Sequence, residues 1–418
     1  MDYLRTGLSC RKNPRVYNCP VQVLISAGEA SGEMYGAQLI EALLRGAELR
    51  SGRRNASAPT QASQLEFFGA GGERMRAAGC EIVVDAKDLA VVGITEILSH
   101  LPKILGLYRK LLRTADEKRP VLAVVIDSPA FNWRVARQMK KRGIPVVYYV
   151  APQFWAWRQG RVKLLRKYVN KALVIFPFEE KFYRDRGVDA TFVGHPLADL
   201  PAPAISREAY AAENRIDAAK SWITLMPGSR RKEVRMNLPT ILEAADRLGG
   251  GHEFLLPVAR TLDSSFLTEL IAAPTETRQA ASLQGIHLVP EALPALFHSR
   301  AGVIASGTAT VEAAIMGTPF VMVYRVSRLT YTLGKPRVKV PYFAMVNLIA
   351  EEEVVPELVQ HKFTAENVVK ELDKLIPDGE PRVRMMHSLA AVKARLRGTG
   401  SGAHPSETAA EIILKMIG

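Results

Sequence analysis

The sequence predicts an α/β protein built from two Rossmann-like domains with a cleft between them. Three observations carry that expectation. At 418 residues the chain is too long for one ordinary hydrophobic core. Short aliphatic runs, apolar on both faces, alternate with helix-length segments, the pattern of a parallel sheet covered by helices. The pattern then restarts after a stretch rich in proline and alanine, "LADLPAPAISREAYAAENRID".

The strands read in order as 21–25, 65–69, 81–85, 121–127, 145–150 and 172–176 in the first half. In the second they read as 221–227, 252–258, 285–290, 301–306 and 319–325. Residues 1–20 read as a disordered lead-in, 21–200 as the first domain, 201–220 as a linker and 221–380 as the second domain. Residues 381–418 read as terminal helices, with their return to the first domain left open.

A composition of 48% hydrophobic and 23% charged residues excludes general disorder. The net charge of +14 points to an anionic partner without choosing among nucleic acid, phosphorylated small molecule and membrane surface. Cys10, Cys19 and Cys80 form no C-x-x-C pair, which argues against a disulfide framework or zinc site and for a reducing cytosol. No apolar stretch is long enough to span a bilayer. His195 has no second ligand at metal-like spacing, which favours a hinge or packing role over metal binding; no metal and no cofactor are expected.

The turn after the first strand, "SAGEASGE", has the layout of a phosphate loop but carries Glu29 and Glu33 where an anion would sit. Asp127, in "VVIDSPAFNW", ends a buried strand; it is either a general base or the cap of the next helix. Gln153, Trp155, Trp157 and Arg158 together suit a sugar face, or the tryptophans simply pack. In "LMPGSRRKEV", Gly228 and Ser229 turn the chain and Arg230 follows at a strand's carboxyl edge, where open α/β sheets bind ligands. In "IASGTATVEAAIMGTP", Ser306, Gly307, Thr308 and Thr310 bring free N–H groups and hydroxyls to a helix start, and Glu312 reaches toward ribose hydroxyls. The alternative there is a capped, alanine-rich packing helix. Two such turns in one domain favour a nucleotide diphosphate site. No D-x-D pair occurs, so charge neutralisation falls to arginines and helix ends.

Residues 89–113, apolar with flanking Lys103, Arg109, Lys110 and Arg113, form either a core helix or a membrane-surface segment. Val92, Ile94 and Leu98 are its candidate lipid contacts.

The segments "SAGEASGE", "GAGGERMRAAGCE", "LAVVGITEIL", "IDSPAFN", "YYVAPQFWAWRQGRVK", "FVGHPLAD", "PGSRRKEV", "ASGTATVEAA" and "VNLIAEEEVVPELVQ", in this order, resemble the lipid-A-disaccharide synthases. The resemblance runs from about residue 22 to the end. It implies a GT-B fold, UDP-2,3-diacylglucosamine as donor, 2,3-diacylglucosamine 1-phosphate as acceptor, and inversion at the anomeric carbon. It also implies a cytoplasmic enzyme held peripherally at the inner face of a Gram-negative inner membrane, with no nucleic acid partner; a homodimer is an open expectation. Carried over by motif, Asp127 matches the family's base, Glu29 a catalytically important acid, Arg230 a UDP contact and Asn347 a functional amide near the donor. Ala130 stands where the family commonly has a second acid, which either favours Asp127 as the acting carboxylate or marks the loss of a secondary role.

Rival readings make distinct demands. A nucleic-acid-binding protein explains the charge but lacks a recognisable module. A nicotinamide oxidoreductase needs a G-x-G-x-x-G after a strand, which is missing. A hexosamine epimerase or peptidoglycan glycosyltransferase shares the GT-B architecture.

Overall fold

The computed structural model describes residues 20–28, 30–52, 65–89, 94–259, 261–273, 285–334, 338–398 and 404–418. The chain divides into two compact units, Met1–Pro196 with Arg397–Gly418, and Leu197–Leu396.

In the first unit the elements run β1 (Val21–Ala27), α1 (Ala30–Gly52), β2 (Leu65–Gly71), β3 (Cys80–Asp85), α2 (Ile94–Lys118), β4 (Leu122–Ile126), α3 (Pro129–Lys141), β5 (Val146–Tyr149), α4 (Val162–Tyr168), β6 (Lys171–Val174), α5 (Pro177–Arg184) and β7 (Ala190–Phe192), with short helices between. The strands form one sheet in the order β3-β2-β1-β4-β5-β6-β7, with every pairing parallel. Strands buried on both faces must be apolar throughout, and Val23 to Ile25 and Leu122 to Ile126 are sealed from solvent. Alternation assigns the faces. Leu24, Ala123 and Val125 share a core with Leu111 of α2, Val135 and Met139 of α3, Leu165 of α4 and Tyr183 of α5. Ile126 points the other way, toward α1, where Gly36 makes room for it and for Met75.

The second unit contains α6 (Arg207–Asn214), β8 (Ser221–Met226), α7 (Arg231–Leu248), β9 (His252–Pro257), β10 (Ile286–Val289), β11 (Ala301–Ala305), α8 (Thr308–Met316), β12 (Phe320–Tyr324), β13 (Glu357–Val359) and α9 (Glu380–Leu396). Its six-stranded sheet has the order β10-β9-β8-β11-β12-β13 and is likewise parallel. The final helix, α10 (Pro405–Ile417), belongs to the first unit. It lies on α1 so closely that a Cβ at Gly46 would stand 2.7 Å from Leu414, and Arg45 pairs with Glu407 at 3.6 Å.

The stretch read as a linker is largely a packed element of the second unit. Tyr210 of α6 meets Trp222, and the Arg207 guanidinium lies 3.7 Å over the Trp222 ring while donating to the Ala218 and Lys220 carbonyls. Its proline and alanine content concealed two anchoring side chains. The sheet edges β7 and β13, three residues each, had no aliphatic run to announce them. Among the described residues no helix is long and apolar enough to cross a membrane.

Where the chain passes between units, at Pro196–Leu197 and Leu396–Arg397, two glycines of the first unit meet backbone to backbone. A Cβ at Gly194 would stand 2.8 Å from the Gly398 nitrogen, and one at Gly398 would stand 2.9 Å from the Val193 carbonyl oxygen.

Candidate active site

Strand order reverses direction between β1 and β4 in the first sheet and between β8 and β11 in the second. Open parallel sheets take ligands beyond the strand carboxyl ends at such a reversal. The turns carrying Asp127, Arg230 and Ser306 to Thr308 all stand there.

Asp127 follows β4 and, with Ser128, adopts the left-handed backbone, φ 47° and 46°. Two successive non-glycine residues in that region cost roughly 1–3 kcal/mol each, so neighbours must hold them. Asn132, fully buried, donates from one amide nitrogen to the carbonyls of Ile126 at 2.8 Å and of Ser26 and Asp127 at 3.0 Å. Its amide oxygen accepts from the Ser26 hydroxyl at 2.7 Å. The Tyr148 hydroxyl donates to the Asp127 carbonyl at 2.8 Å, and the Asp127 N–H reaches the Tyr149 carbonyl. Gly28 faces this turn across the reversal: a Cβ there would stand 2.4 Å from the Ser128 hydroxyl oxygen. The Asp127 Cβ also lies 3.8 Å from where one on Gly32 would be, in the first turn of α1.

Glu29 lies outside the described residues. Its companion Glu33 has a local job, since its carboxylate accepts the Arg74 N–H at 2.8 Å and starts the helix Glu73–Ala77. Val92 also falls outside the described residues; Ile94 and Leu98 lie in the first turns of α2, where side-chain placement is outside what the structure describes.

After β5 the expectation for Trp155 needs correction. Trp155 does not face a sugar: it is buried, and its indole N–H donates to Glu179 at 2.8 Å. Glu179 also accepts the N–H groups of Ile175 and Phe176, and burial pushes its carboxyl up to about 7 against the pull of these donors. Trp157 is the exposed ring, at 49%, with the Arg158 guanidinium stacked 3.7 Å above it. Gln153 is exposed beside them. His195 is buried near Phe176, and burial lowers it to about 4, so it stays neutral.

In the second unit Gly228 turns with φ 126°, and a Cβ there would strike Glu233 at 2.8 Å. Asn237 donates to the Pro227 carbonyl at 2.8 Å and steadies the turn. The Glu233 carboxylate folds back to accept the Ser229 N–H at 3.3 Å and the Arg230 guanidinium at 2.7 Å. A phosphate at this turn therefore competes with a resident carboxylate. Tyr324 lies alongside, its phenol raised by burial and by Glu233, with Arg230 opposing.

Across the reversal Gly307, φ 144°, precedes α8, whose first turn no side chain caps. Three expectations change here. The Thr310 hydroxyl is buried and donates to the Gly307 carbonyl at 2.8 Å; the Ser306 hydroxyl donates to the Phe343 carbonyl at 2.8 Å. Neither donates outward, and Thr308 is the exposed hydroxyl. Asn347 is fully buried: it donates to the Val355 carbonyl and Glu357 and accepts from Val354 and Val355. With its amide so engaged, it holds the backbone at Val354 and Val355 and orients Glu357. Glu357, itself held by Asn347, accepts the N–H groups of Phe343 and Ala344, fixing the segment that anchors Ser306.

Glu312, one turn into α8, has its carboxyl raised by burial alone. A partly desolvated carboxylate of this kind gains most from a ligand that donates hydrogen bonds. A groove of about 410 Å³ lined in part by Glu352, Glu371 and Arg384 includes no residue of these turns.

Solved structures share this architecture. The glycosyltransferase of kitacinnamycin aligns with TM-score 0.59 at 15% identity, covering 95% of this chain and 99% of that one. The UDP-GlcNAc 2-epimerase of Neisseria meningitidis, solved with UDP-GlcNAc, aligns with TM-score 0.55 at 12% identity, over 95% and 99%. Two parallel α/β units of this kind define the GT-B class, which holds both glycosyltransferases and epimerases. Sequence separates them: lipid-A-disaccharide synthases of Koribacter versatilis (strain Ellin345) and Solibacter usitatus (strain Ellin6076) are 50% and 42% identical, over 95% and 94% of this chain and 98% and 97% of theirs. The chain belongs to the lipid-A-disaccharide synthetase family, whose model matches residues 23–411.

Proposed function

We propose that the chain is an inverting glycosyltransferase condensing UDP-2,3-diacylglucosamine with 2,3-diacylglucosamine 1-phosphate to a β-1,6-linked lipid A disaccharide 1-phosphate and UDP. The observation that carries this reading is identity of 39–50% to synthases of that name over more than nine-tenths of the chain; these relatives disfavour an epimerase.

In this reading Asp127 accepts the proton of the acceptor 6-hydroxyl as its oxygen bonds to the anomeric carbon and the bond from that carbon to the UDP oxygen breaks. Arg230, Ser229 and the start of α8 at Thr308 receive the charge growing on the diphosphate, each well-placed donor contributing about 3–4 kcal/mol. Glu312 takes the ribose hydroxyls, and Trp157, Arg158 and Gln153 belong to the acceptor side. The enzyme works at the cytoplasmic face of a Gram-negative inner membrane as a peripheral protein.

Asp127→Asn tests the base. Turnover should fall about 10²- to 10⁴-fold, while UDP affinity by calorimetry stays at the wild-type value; near-normal turnover would remove Asp127 from the mechanism. Mass detection of the disaccharide from the two acylated sugars tests the reaction itself.

A further inference from the structure

Charge is unevenly distributed along the chain. Residues 119–178 contain twelve lysines and arginines and a single carboxylate, Asp127, so twelve less one gives this stretch +11 of the total +14. In the fold most of it lies on one side of the first unit, because α2, α3 and α4 bury their apolar residues in the same core and turn their other faces outward together. Arg137 and Lys141 of α3, Arg161, and Lys163, Arg166 and Lys167 of α4 are all exposed. None of the six is ion-paired to a carboxylate among the described residues, whereas the neighbouring helix α5 balances itself through Lys181–Asp185 and Arg184–Glu180.

Aromatic rings sit among these cations. Arg137 and Lys167 both approach the Tyr168 ring, at 6.0 and 5.6 Å, and Trp157 is half exposed at the margin. Broad cationic faces with amphipathic rings suit the headgroup layer of an anionic bilayer, where each added Lys or Arg strengthens binding roughly fivefold. Nucleic acid is a poorer match. Binding of single strands uses ring faces free to stack on bases, and here the Arg158 guanidinium already lies 3.7 Å over the Trp157 ring, while Tyr168 has Arg137 and Lys167 near it.

We propose that the outward face of α3 and α4 is a docking surface for anionic phospholipid, its cations receiving headgroup phosphates. The inference rests on the peripheral membrane contact proposed above and moves the electrostatic centre of that contact away from Val92, Ile94 and Leu98.

The test is co-sedimentation of the full chain with vesicles of phosphatidylcholine alone and of phosphatidylcholine mixed with phosphatidylglycerol. Wild-type protein should prefer the anionic vesicles and release as salt rises. The combined variant Arg137→Gln, Lys141→Gln, Lys163→Gln, Arg166→Gln, Lys167→Gln should bind them at least about 100-fold more weakly while turning over detergent-dispersed substrates at the wild-type rate. Exchanging lysine for arginine and arginine for lysine at the same five positions should restore binding. Wild-type affinity in the glutamine variant overturns the proposal, and if Val92→Ser, Ile94→Ser, Leu98→Ser then releases the protein, the membrane reading survives without it. Failure of the wild type to bind either vesicle overturns both. Tighter binding to an oligonucleotide than to anionic vesicles overturns the proposal in favour of nucleic acid.

Discussion

At the scale of single residues, the Asp127 turn is over-determined from both sides. Asn132 and Tyr148 hold its backbone, and Gly28 leaves the space it occupies. Gly28→Ala should therefore displace Ser128 and cut turnover, on the order of 10²-fold for a shift near 1 Å, whereas Gly32→Ala, whose Cβ would meet only ordinary contacts at 3.6–3.8 Å, should be nearly silent. Adding Ser128→Gly to Gly28→Ala should recover activity; steady-state assays of the three variants decide. In the other unit, Glu312→Ala should raise the donor KM roughly 10- to 100-fold, since hydrogen bonds to a charged group are worth about 1.5–3 kcal/mol. An unchanged KM would take the ribose away from Glu312. Asp127 was legible in the sequence as the polar end of an apolar strand. Asn132 stood in view five residues later, but its work depends on Ser26, a contact across the sheet that no local pattern records. Trp155 and Trp157 look alike in sequence; only the partner, Glu179 for one and Arg158 for the other, separates burial from exposure.

At the scale of elements, buried parallel strands write themselves as aliphatic runs because both faces are covered, which is why β1, β4, β8 and β11 were readable. Edges and anchors obey other rules: β13 is three residues long, and α6 is held by an arginine stacked on tryptophan. The segment between β5 and α4 hangs on Glu179, through Trp155, and α5 adds the Tyr183 hydroxyl to the Pro152 carbonyl. Because burial raises Glu179 from 4.5 to about 7, the folded state holds its proton more tightly than the unfolded chain. Its contribution is complete below pH 4.5 and lost as pH rises through 7. His195, lowered from 6.5 to about 4, does the reverse: its contribution is complete above pH 6.5 and lost as pH falls toward 4. The two slopes oppose each other between pH 4.5 and 6.5. Glu179→Gln should remove one of them, so that the Tm of wild type relative to the variant falls between pH 4.5 and 7. A pH-independent difference in calorimetry would contradict this.

For the whole molecule, both sheets reverse their strand order in the same way, at β1/β4 in one and at β8/β11 in the other, and the proposed mechanism draws its base from the first unit and its diphosphate contacts from the second. The two-unit organisation was legible from the restart of the strand pattern. The destination of α10 was not, because its contacts with α1 join residues more than 350 positions apart, as in the hydrogen bond from Arg50 to the Glu411 carbonyl. Gly194 and Gly398, touching through their backbones, carry a further consequence. The outgoing and returning strands of the chain run side by side there, so residues 197–396 form a continuous insert whose two ends lie near one another. Segments of that kind behave as portable cassettes. Expressed alone, residues 197–396 should fold and bind UDP without turning over the acylated sugars, as calorimetry and a transfer assay would register. By the same logic, the two neighbouring glycines mark the seam at which a segment of this kind can be exchanged as one piece.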